Sequence, residues 1–352
     1  MDLDTLARRT ADALVAAGQP GVVVGAISGE DTAIAGAGTA GTAGARAGAG
    51  NSGVEGGTDG NGPPGPRTMF EIGSVTKTFT SLVLLSRVRA GAVALDQPVR
   101  ELLPEGTRVP ELNGRAITLV DLATHTSGLP RLPPRMTQWP KLFRRDPYAR
   151  YTPDRLLGEL AKTRLLSIPG EQVLYSNLGV ALLGTALAHH AGTDYATLVT
   201  REVIEPLGLT DTVLTLDRDQ AARMAQGYVE AGKPTPPWTF DAFAGAGGLR
   251  STAVDMIAFV RAHLGDGPAA GALRESCAVR RPISEGTWMQ PGWVTVREED
   301  PIHLHDGGTG GFVSLIGLMP SRHAAVVVLA NSTGDVTQPG VRLLDEISTL
   351  AG

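Results

Sequence analysis

The sequence predicts an α+β fold, in which an antiparallel β-sheet flanked by terminal helices is joined to an all-helical lobe. Two short strand patterns lie near the amino terminus, and apolar helical patterns fill the middle of the chain. The last quarter alternates short apolar runs with tight turns before a final helical pattern. Because short connections favour antiparallel neighbours, we expect the first strands to join the last ones in a single sheet that carries both terminal helices.

The amino-terminal elements follow from hydrophobic spacing. Residues 3–17 place leucines at helical intervals, residues 22–27 form a continuous apolar run typical of a buried strand, and residues 32–35 predict a weaker strand. Residues 36–66 are rich in glycine and alanine and hold almost no large apolar side chain. Such a segment cannot bury enough surface to offset its ordering entropy, so we expect a mobile loop there.

The middle and the end of the chain complete the pattern. Predicted helices cover residues 119–125, 152–165, 178–190, 195–207 and 252–264, predicted strands cover 293–296, 302–305, 312–318 and 324–330, and a last helix covers 341–350. We therefore expect a sheet lobe made of residues 1–70 and 256–352, a mainly helical lobe made of residues 71–255, and a cleft between them.

Composition excludes several classes of partner. The 352 residues are 42% hydrophobic with a net charge of -5, and no basic stripe indicates nucleic-acid binding. No apolar run is long enough to span a membrane, and the amino terminus has early acids without an apolar signal region. We expect a cytoplasmic protein with neither a nucleic acid nor a membrane as its partner. Its single cysteine, Cys277, excludes a disulfide within this sequence and leaves the redox compartment open. The oligomeric state also stays open.

Ser74 and Lys77 form the first polar motif, three residues apart at the start of an apolar helical segment. On a helix this spacing puts the lysine amine beside the serine hydroxyl, which needs an adjacent base to become a nucleophile. Lysine, with a reference pKa of about 10.4, can act as that base only where burial or a neighbouring cation favours the neutral amine. The alternative is a helix cap beside a surface charge. Against it, the chain has only four lysines, and no other serine has one at this spacing.

Tyr175 and Asn177 form the second motif, just before a predicted helix. A lysine cation near a tyrosine hydroxyl favours the ionised phenol, which would let Tyr175 accept a proton. Asn177 offers a donor and an acceptor to a substrate amide or to Lys77. The alternative is a helix start, capped by Asn177, with a half-buried tyrosine.

The third motif, residues 305–308, ends a predicted strand with the sequence His-Asp-Gly-Gly. Glycines clear the strand edge for an extended substrate, and the amides of Gly308 and Ser74 would together form an oxyanion hole. The alternative is a glycine-rich hairpin. His303 and His305 face the same way on this strand, but no further ligands occur at a recognisable spacing, so we expect neither a metal nor a cofactor.

Taken in order, the three motifs resemble the S-x-x-K, Y-x-N and K/H-x-G elements of the serine β-lactamase-like family. That family includes class C β-lactamases, D,D-carboxypeptidases, D-aminopeptidases, esterases and acyltransferases. The similarity extends from about residue 68 to 330 through further segments at 70–73, 122–130, 206–209 and 247–249. It implies a β-lactamase/transpeptidase-like fold. By position it also implies that Ser74 is the acylated nucleophile, Lys77 its base or proton relay, and Tyr175 a proton shuttle.

The resemblance also implies that Asn177 orients the substrate while His305, Gly307 and Gly308 line the strand that holds it. His125 looks structural. One position departs from the class C pattern, which has lysine where this chain has His305, and a histidine is neutral much of the time at pH 7. This difference favours esterase, amidase or transfer chemistry over a dedicated β-lactamase.

Three functions remain open from the sequence. The leading one is a hydrolase that forms an acyl-enzyme with an ester, amide or β-lactam-like small molecule. The second is an ATP-independent transacylase that passes the acyl group to an amine or alcohol in secondary metabolism, and the third is a non-catalytic acyl- or peptide-binding module. Trp238, Phe240 and Phe243 either wall an acyl pocket or pack between the lobes.

Overall fold

The computed structural model describes residues 1–41, 62–137, 146–149, 151–229 and 232–350. Its strands are β1 (Gly21–Ser28), β2 (Asp31–Gly38), β3 (Phe70–Glu71), β4 (Gly227–Val229), β5 (Lys233–Thr235), β6 (Arg250–Ser251), β7 (Arg281–Ser284), β8 (Thr287–Gln290), β9 (Trp293–Val296), β10 (Ile302–Gly308), β11 (Val313–Met319) and β12 (Ala324–Ala330). Its helices are α1 (Leu3–Ala16), α2 (Thr76–Arg89), α3 (Leu119–Ala123), α4 (Pro134–Thr137), α5 (Pro153–Leu160), α6 (Asn177–His190), α7 (Tyr195–Val199), α8 (Arg218–Ala222), α9 (Ala244–Gly247), α10 (Ala253–Leu264), α11 (Pro268–Ala278) and α12 (Thr337–Ser348). No helix in these ranges is both long and apolar enough to span a bilayer.

An antiparallel sheet of eight strands organises the described residues, in the order β2-β1-β12-β11-β10-β9-β8-β7. Strand β1 lies between β2 and β12, with Val24 opposite Val328. The amino- and carboxy-terminal strands therefore share one sheet, and the predicted α+β class is confirmed. Alternation along β1 and β12 sends half of their side chains to each face of the sheet.

The two faces of the sheet carry different layers. Helices α1 and α12 cover one face, where Leu14 and Leu344 are buried with Val24 and Val328. The other face packs on α10 and on α2, whose first ten residues are all buried. Phe79 of α2 stacks on Phe259 of α10, with ring centroids 4.1 Å apart. A helix buried on all sides forms the centre of the larger core, and Ser74 immediately precedes it.

The predicted division into two lobes stays a prediction, because one core runs through both. The larger cluster of buried side chains includes Val23 and Val327 of the sheet together with Phe79 and Leu182 of the helical region. The helical region and the sheet are thus packed against each other without a separating linker in the described ranges.

Two expectations about the elements need correction. Residues 36–38, placed in the predicted mobile loop, belong to β2, and Gly36 pairs with Val23. A Cβ at Gly36 would lie 1.8 Å from the Pro64 carbonyl oxygen, so glycine is required for this close backbone approach. Residues 39–41 and 62–66 of that prediction are also described, and the Ala40 amide donates to the Gly62 carbonyl oxygen over 2.9 Å. The remaining part, residues 42–61, lies outside the described residues. The helix expected at 195–207 ends at Val199 and continues as a π-helical turn over residues 200–204.

The strands β7 and β8 and the helix α11 were not predicted from the sequence. Strand β7 is at the sheet edge and mostly exposed, so it lacks the apolar alternation by which strands are recognised. Helix α11 is short and alanine-rich. The start of α10 has only one half of a capping box. Thr252 accepts a bond from the Asp255 amide, while the Asp255 carboxylate accepts from Asp211 and Thr212.

Candidate active site

Ser74 lies in a 3-10 turn, Gly73–Val75, that runs directly into α2. Gly73 has a φ of +49°, and a Cβ there would lie 2.7 Å from the Gly308 amide nitrogen. Both the left-handed backbone and the close approach of β10 require glycine at this position. The turn therefore holds the Ser74 backbone against the end of β10.

The strand before the turn anchors it to the far wall of the site. Strand β3 pairs with β6, and the Glu71 carboxylate lies 3.4 Å from the Arg250 guanidinium. Glu71 also accepts a 2.7 Å hydrogen bond from the Trp238 amide, and burial raises the pKa of this carboxyl. One buried acid thus ties the nucleophile's strand to the segment that carries Trp238.

Lys77 lies one helical turn after Ser74 and is only 1% exposed. Its Nζ is 2.9 Å from the Ser74 Oγ and 2.5 Å from the Ala246 carbonyl oxygen. Burial, reinforced by the positive charge of Arg131 and opposed by Asp306, lowers the pKa of Lys77 to about 7. A substantial fraction of the lysine is therefore neutral at pH 7 and can accept a proton from the serine.

Tyr175 is positioned by the start of α6. Ser176 caps that helix by accepting a 2.9 Å bond from the Gly179 amide, and its own amide donates to Nδ1 of His125 over 3.1 Å. The rings of His125 and Tyr175 lie 4.4 Å apart between centroids. His125 is buried, and burial lowers its pKa well below the usual value, so the ring is neutral and orients the Tyr175 segment.

The expectation that Tyr175 is ionised is not met. Burial raises the pKa of Tyr175 to about 12, although a hydrogen bond with Ser74 opposes the shift. The Lys77 Nζ lies 5.1 Å from the centre of the tyrosine ring. The loss of hydration outweighs the opposing effect of the Arg131 charge on the pKa of Tyr175. Of the two side chains beside Ser74, the lysine is the one suited to act as the base, and the tyrosine is a neutral phenol.

Asn177 points into the cleft but does not contact Lys77 within hydrogen-bonding distance. Its Nδ2 donates to the Tyr148 hydroxyl over 3.2 Å, and its Oδ1 is buried without a partner among the described residues. An unpaired buried amide oxygen is costly, and a substrate N–H would satisfy it. This geometry agrees with the substrate-orienting role expected from the resemblance.

Strand β10 presents its free edge to Ser74. Pairing with β9 stops at Leu304, so residues 305–308 have a strand partner on one side only, namely β11. Thr309 donates to the Phe312 carbonyl over 2.9 Å, and bonding alternates along an antiparallel pair. The Gly308 amide consequently points away from β11, towards the Ser74 turn, as an oxyanion donor would require.

Gly307 is also fixed by close contact. A Cβ at this position would lie 2.1 Å from the Ile72 carbonyl oxygen and 3.0 Å from the Ser74 amide nitrogen. At Gly308, by contrast, a Cβ would meet nothing within 4 Å. The first glycine thus permits the strand to approach Ser74, and the second borders open space.

His305 supplies no positive charge to the site. It is buried, its Nδ1 lies 2.7 Å from the Asp306 carbonyl oxygen, and burial together with the Lys77 charge lowers its pKa to about 4. His303 pairs with Thr295 over 2.8 Å. Within the described ranges no group of three or more histidine, cysteine or acidic side chains is arranged to hold a metal ion.

A cleft of about 800 Å³ opens over Ser74, and its lining combines predicted and unpredicted residues. The sequence assigned no role to Arg131, Tyr148 or Asp306, which all line it. Asp306 lay inside the third motif, so its charge could have been noticed, while Arg131 and Tyr148 come from a loop without a recognisable pattern.

Trp238, Phe240 and Phe243 were expected either to wall a pocket or to pack between the lobes, and they differ in where they lie. Trp238 lines the main cleft, and Phe240 lines a small recess beside Ser74. Phe243 is fully buried against Tyr148 and Tyr151. The first two therefore wall the cleft, and the third supports it from behind.

Comparisons with known proteins agree with this geometry. A family model described as "Beta-lactamase" matches residues 7–347. The chain is 32% identical over 289 residues to the D-alanyl-D-alanine-carboxypeptidase/endopeptidase AmpH of Escherichia coli, covering 75% of this chain and 71% of the relative. It is 28% identical over 304 residues to a β-lactamase of Pseudomonas fluorescens, covering 75% and 79%.

Solved structures show the same fold. The chain is similar to a β-lactamase/D-alanine carboxypeptidase of Yersinia pestis, with a TM-score of 0.79 and 24% identity over 100% of both chains. It is also similar to a class C β-lactamase of Rhodobacter sphaeroides, with a TM-score of 0.78 and 23% identity, covering 98% and 99%. The resemblance drawn from the three motifs is confirmed, and the chain belongs to the β-lactamase family of serine hydrolases.

Proposed function

We propose that this protein hydrolyses an ester or amide of a small molecule through an acyl-enzyme at Ser74. The observation that carries the proposal is the 2.9 Å contact between Ser74 Oγ and the buried Lys77 Nζ, with the pKa of that lysine lowered to about 7. A neutral amine at hydrogen-bonding distance is what a serine hydroxyl needs in order to attack a carbonyl carbon.

The proposed acylation step moves one proton through two side chains. Neutral Lys77 accepts the Ser74 proton as Oγ bonds to the carbonyl carbon, and the amides of Ser74 and Gly308 stabilise the resulting oxyanion. Tyr175, as a neutral phenol, donates its proton to the leaving group and is reprotonated from Lys77. Water attacks the acyl-enzyme by the reverse sequence and releases the acid and Ser74.

The relatives indicate which substrates to try first. They include a protein named as a D-alanyl-D-alanine carboxypeptidase and others named as β-lactamases, so peptide amides and β-lactams belong in the screen beside simple esters. The unpaired Oδ1 of Asn177 favours an acyl part that carries an amide N–H. Because His305 is neutral, it offers no positive charge to a substrate carboxylate. Substrates that bind through their own carboxylate are therefore less favoured.

The experiment that tests the proposal is covalent labelling. The protein is incubated with p-nitrophenyl acetate, nitrocefin, a D-alanyl-D-alanine peptide and a fluorophosphonate probe, and intact mass is recorded alongside turnover. We expect an adduct on Ser74, at least a thousandfold loss of turnover in Ser74→Ala because the nucleophile is gone, and unchanged labelling in Ser86→Ala. Ser86 is a matched control, since it lies on α2 away from the cleft.

Two outcomes would contradict the proposal. Equal turnover by the wild type and Ser74→Ala would remove Ser74 from the chemistry. Amide product that increases with added amine, with no free acid, would show that the acyl group goes to an acceptor and not to water.

A further inference from the structure

Asp306 holds a carboxylate next to the reacting atoms. It follows His305 on β10, past the last residue paired with β9, and its exposed side chain lines the cleft together with Ser74 and Gly308. Two residues of extended strand separate it from the Gly308 amide, a distance of roughly 7 Å. A substrate whose carbonyl oxygen is bound by that amide therefore has the Asp306 carboxylate as a near neighbour.

This carboxylate forms no ion pair in the described part of the chain. None of the ion pairs or side-chain hydrogen bonds found there involves it, and the neutral His305 beside it adds no positive charge. Its field reaches the reacting groups, because it raises the pKa of both Lys77 and Tyr175. The strand side of the cleft thus carries a negative charge that a bound cation would balance.

The cleft is also lined by a cation, Arg131, which already contacts an aromatic ring. The Arg131 guanidinium lies 5.1 Å from the centre of the Tyr175 ring, and the Arg131 carbonyl accepts from the first amides of α6. An aromatic face attracts such a cation, so Arg131 has a partner that Asp306 lacks. The two charges do not form an ion pair within the described residues, and each affects the site separately.

Two aromatic residues line the same cleft as Asp306. They are Trp238 and Tyr148, with ring centroids 5.4 Å apart. Trp238 lies close to the backbone just beyond β10. A Cβ at Gly310 would lie 2.5 Å from the indole Nε1, so the absence of a side chain there makes room for the ring. Aromatic faces beside a carboxylate attract alkylammonium groups and do not attract anions.

We infer that Asp306, in a cleft walled by the partly exposed Trp238 ring, binds a positively charged group of the substrate, so that the enzyme selects cationic esters or amides and disfavours anionic ones. This inference rests on the proposed function, because it concerns what Ser74 acylates. It names the substrate class as small acyl compounds that carry an ammonium group close to the scissile bond.

The test compares substrates that differ only in charge. The acyl series consists of p-nitrophenyl esters of γ-trimethylammoniobutyrate, of its uncharged tert-butyl isostere and of γ-sulfobutyrate. A second pair, meta-trimethylammoniophenyl acetate and meta-tert-butylphenyl acetate, places the charge on the leaving group. In the acyl series we expect kcat/KM to be higher for the cation than for its neutral isostere, with the sulfonate lowest. In the aryl pair the two leaving groups also differ in acidity, so there only the change in the cation-to-neutral ratio caused by Asp306→Asn is compared.

The decisive measurement is the cation-to-neutral ratio of kcat/KM in Asp306→Asn. We expect this ratio to fall about fivefold to tenfold, the scale of one partly solvated charge pair. A ratio is needed because Asp306 also raises the pKa of Lys77, and any effect on the chemistry changes both substrates equally. Asp12→Asn, an exposed acid on α1, is the matched control and should leave the ratio unchanged.

Added salt provides a further readout, since it screens an exposed charge pair and should lower the wild-type ratio but not that of Asp306→Asn. A preference for the sulfonate, or an unchanged ratio in Asp306→Asn, would overturn the inference. Its failure is distinguishable from failure of the proposed function. If the neutral esters acylate Ser74 without any charge preference, only the assignment of Asp306 is wrong.

Discussion

At the scale of single residues, Lys77 and Tyr175 show that burial decides which side chain is the base. Both lie beside Ser74 and both are desolvated, which disfavours the charged form of each. For a lysine the charged form is the acid, so burial makes a neutral base available near pH 7. For a tyrosine the charged form is the base, so burial removes it. The same physical cause gives the two residues opposite roles.

The pH profile of the enzyme should therefore follow Lys77. Neutral Lys77 is the active form, so kcat/KM for an uncharged ester should rise with pH through about 7. Arg131 helps to lower that pKa, and Arg131→Gln should raise it and move the rising limb to higher pH by about half a unit to one unit. Stopped-flow or steady-state profiles between pH 5 and 9 would measure the shift.

The control for this prediction is Arg342→Gln, which removes an equal charge from α12 on the other face of the sheet. Its profile should match that of the wild type. A limb that stays in place in Arg131→Gln, or that moves to lower pH, would contradict the assigned influence of Arg131 on Lys77.

At the scale of elements, the approach of β10 to the Ser74 turn forms the site. Gly73 and Gly307 let the Ser74 turn and β10 approach more closely than any side chain would permit. Gly73 faces the Gly308 backbone, and Gly307 faces the Ile72 carbonyl and the Ser74 amide. The strand is free to make this approach because β9 releases it after Leu304. Beyond Leu304, the edge of β10 that β9 no longer covers faces Ser74 and the cleft.

Substituting each glycine of this edge tests that geometry. Gly307→Ala should push β10 away from Ser74, because its Cβ would lie 2.1 Å from the Ile72 oxygen, and we expect at least a hundredfold loss of kcat/KM and a lower melting temperature. Gly308→Ala, whose Cβ meets no atom within 4 Å, should melt like the wild type. Equal melting temperatures for all three proteins, measured by calorimetry, would count against the close approach.

At the scale of the whole molecule, the sheet separates a stabilising face from a catalytic one. Helices α1 and α12 bury one side of β1 and β12, while α2 and the cleft lie on the other. Because β1 pairs with β12, the sheet is complete only when the first and the last strand have come together. The amino-terminal helix therefore stabilises the fold without contacting the substrate.

Leu14→Ala tests this separation. Leu14 is 2% exposed between α1 and the sheet, and its loss should lower the free energy of unfolding by about 2–5 kcal/mol. At 25 °C the folded fraction should keep its kcat/KM, since the cavity opens on the face away from Ser74. Leu350→Ala, at a position 42% exposed, should change neither quantity measurably. A drop in kcat/KM without loss of stability for Leu14→Ala would show that the faces are coupled.

Spacing along the chain predicts the terminal strands and helices and the contact between Ser74 and Lys77. Hydrophobic spacing located the terminal strands and helices, and the three-residue interval from Ser74 to Lys77 fixed their contact because one helical turn separates them. These features depend on residues close together in the chain, where backbone geometry alone sets the distances. The π-turn after Val199 and the polar edge strand β7 escaped because their residues follow no simple period.

The charges of the site follow from packing between distant segments, which no motif reports. Whether Lys77, Tyr175 and His305 are charged depends on burial, and burial is produced by segments far apart in the sequence. The convergence of Arg131, Tyr148 and Asp306 on one cleft likewise has no local pattern. Desolvation and long-range contacts are properties of the packed chain, so the motifs indicate which residues react but not the protonation state of each.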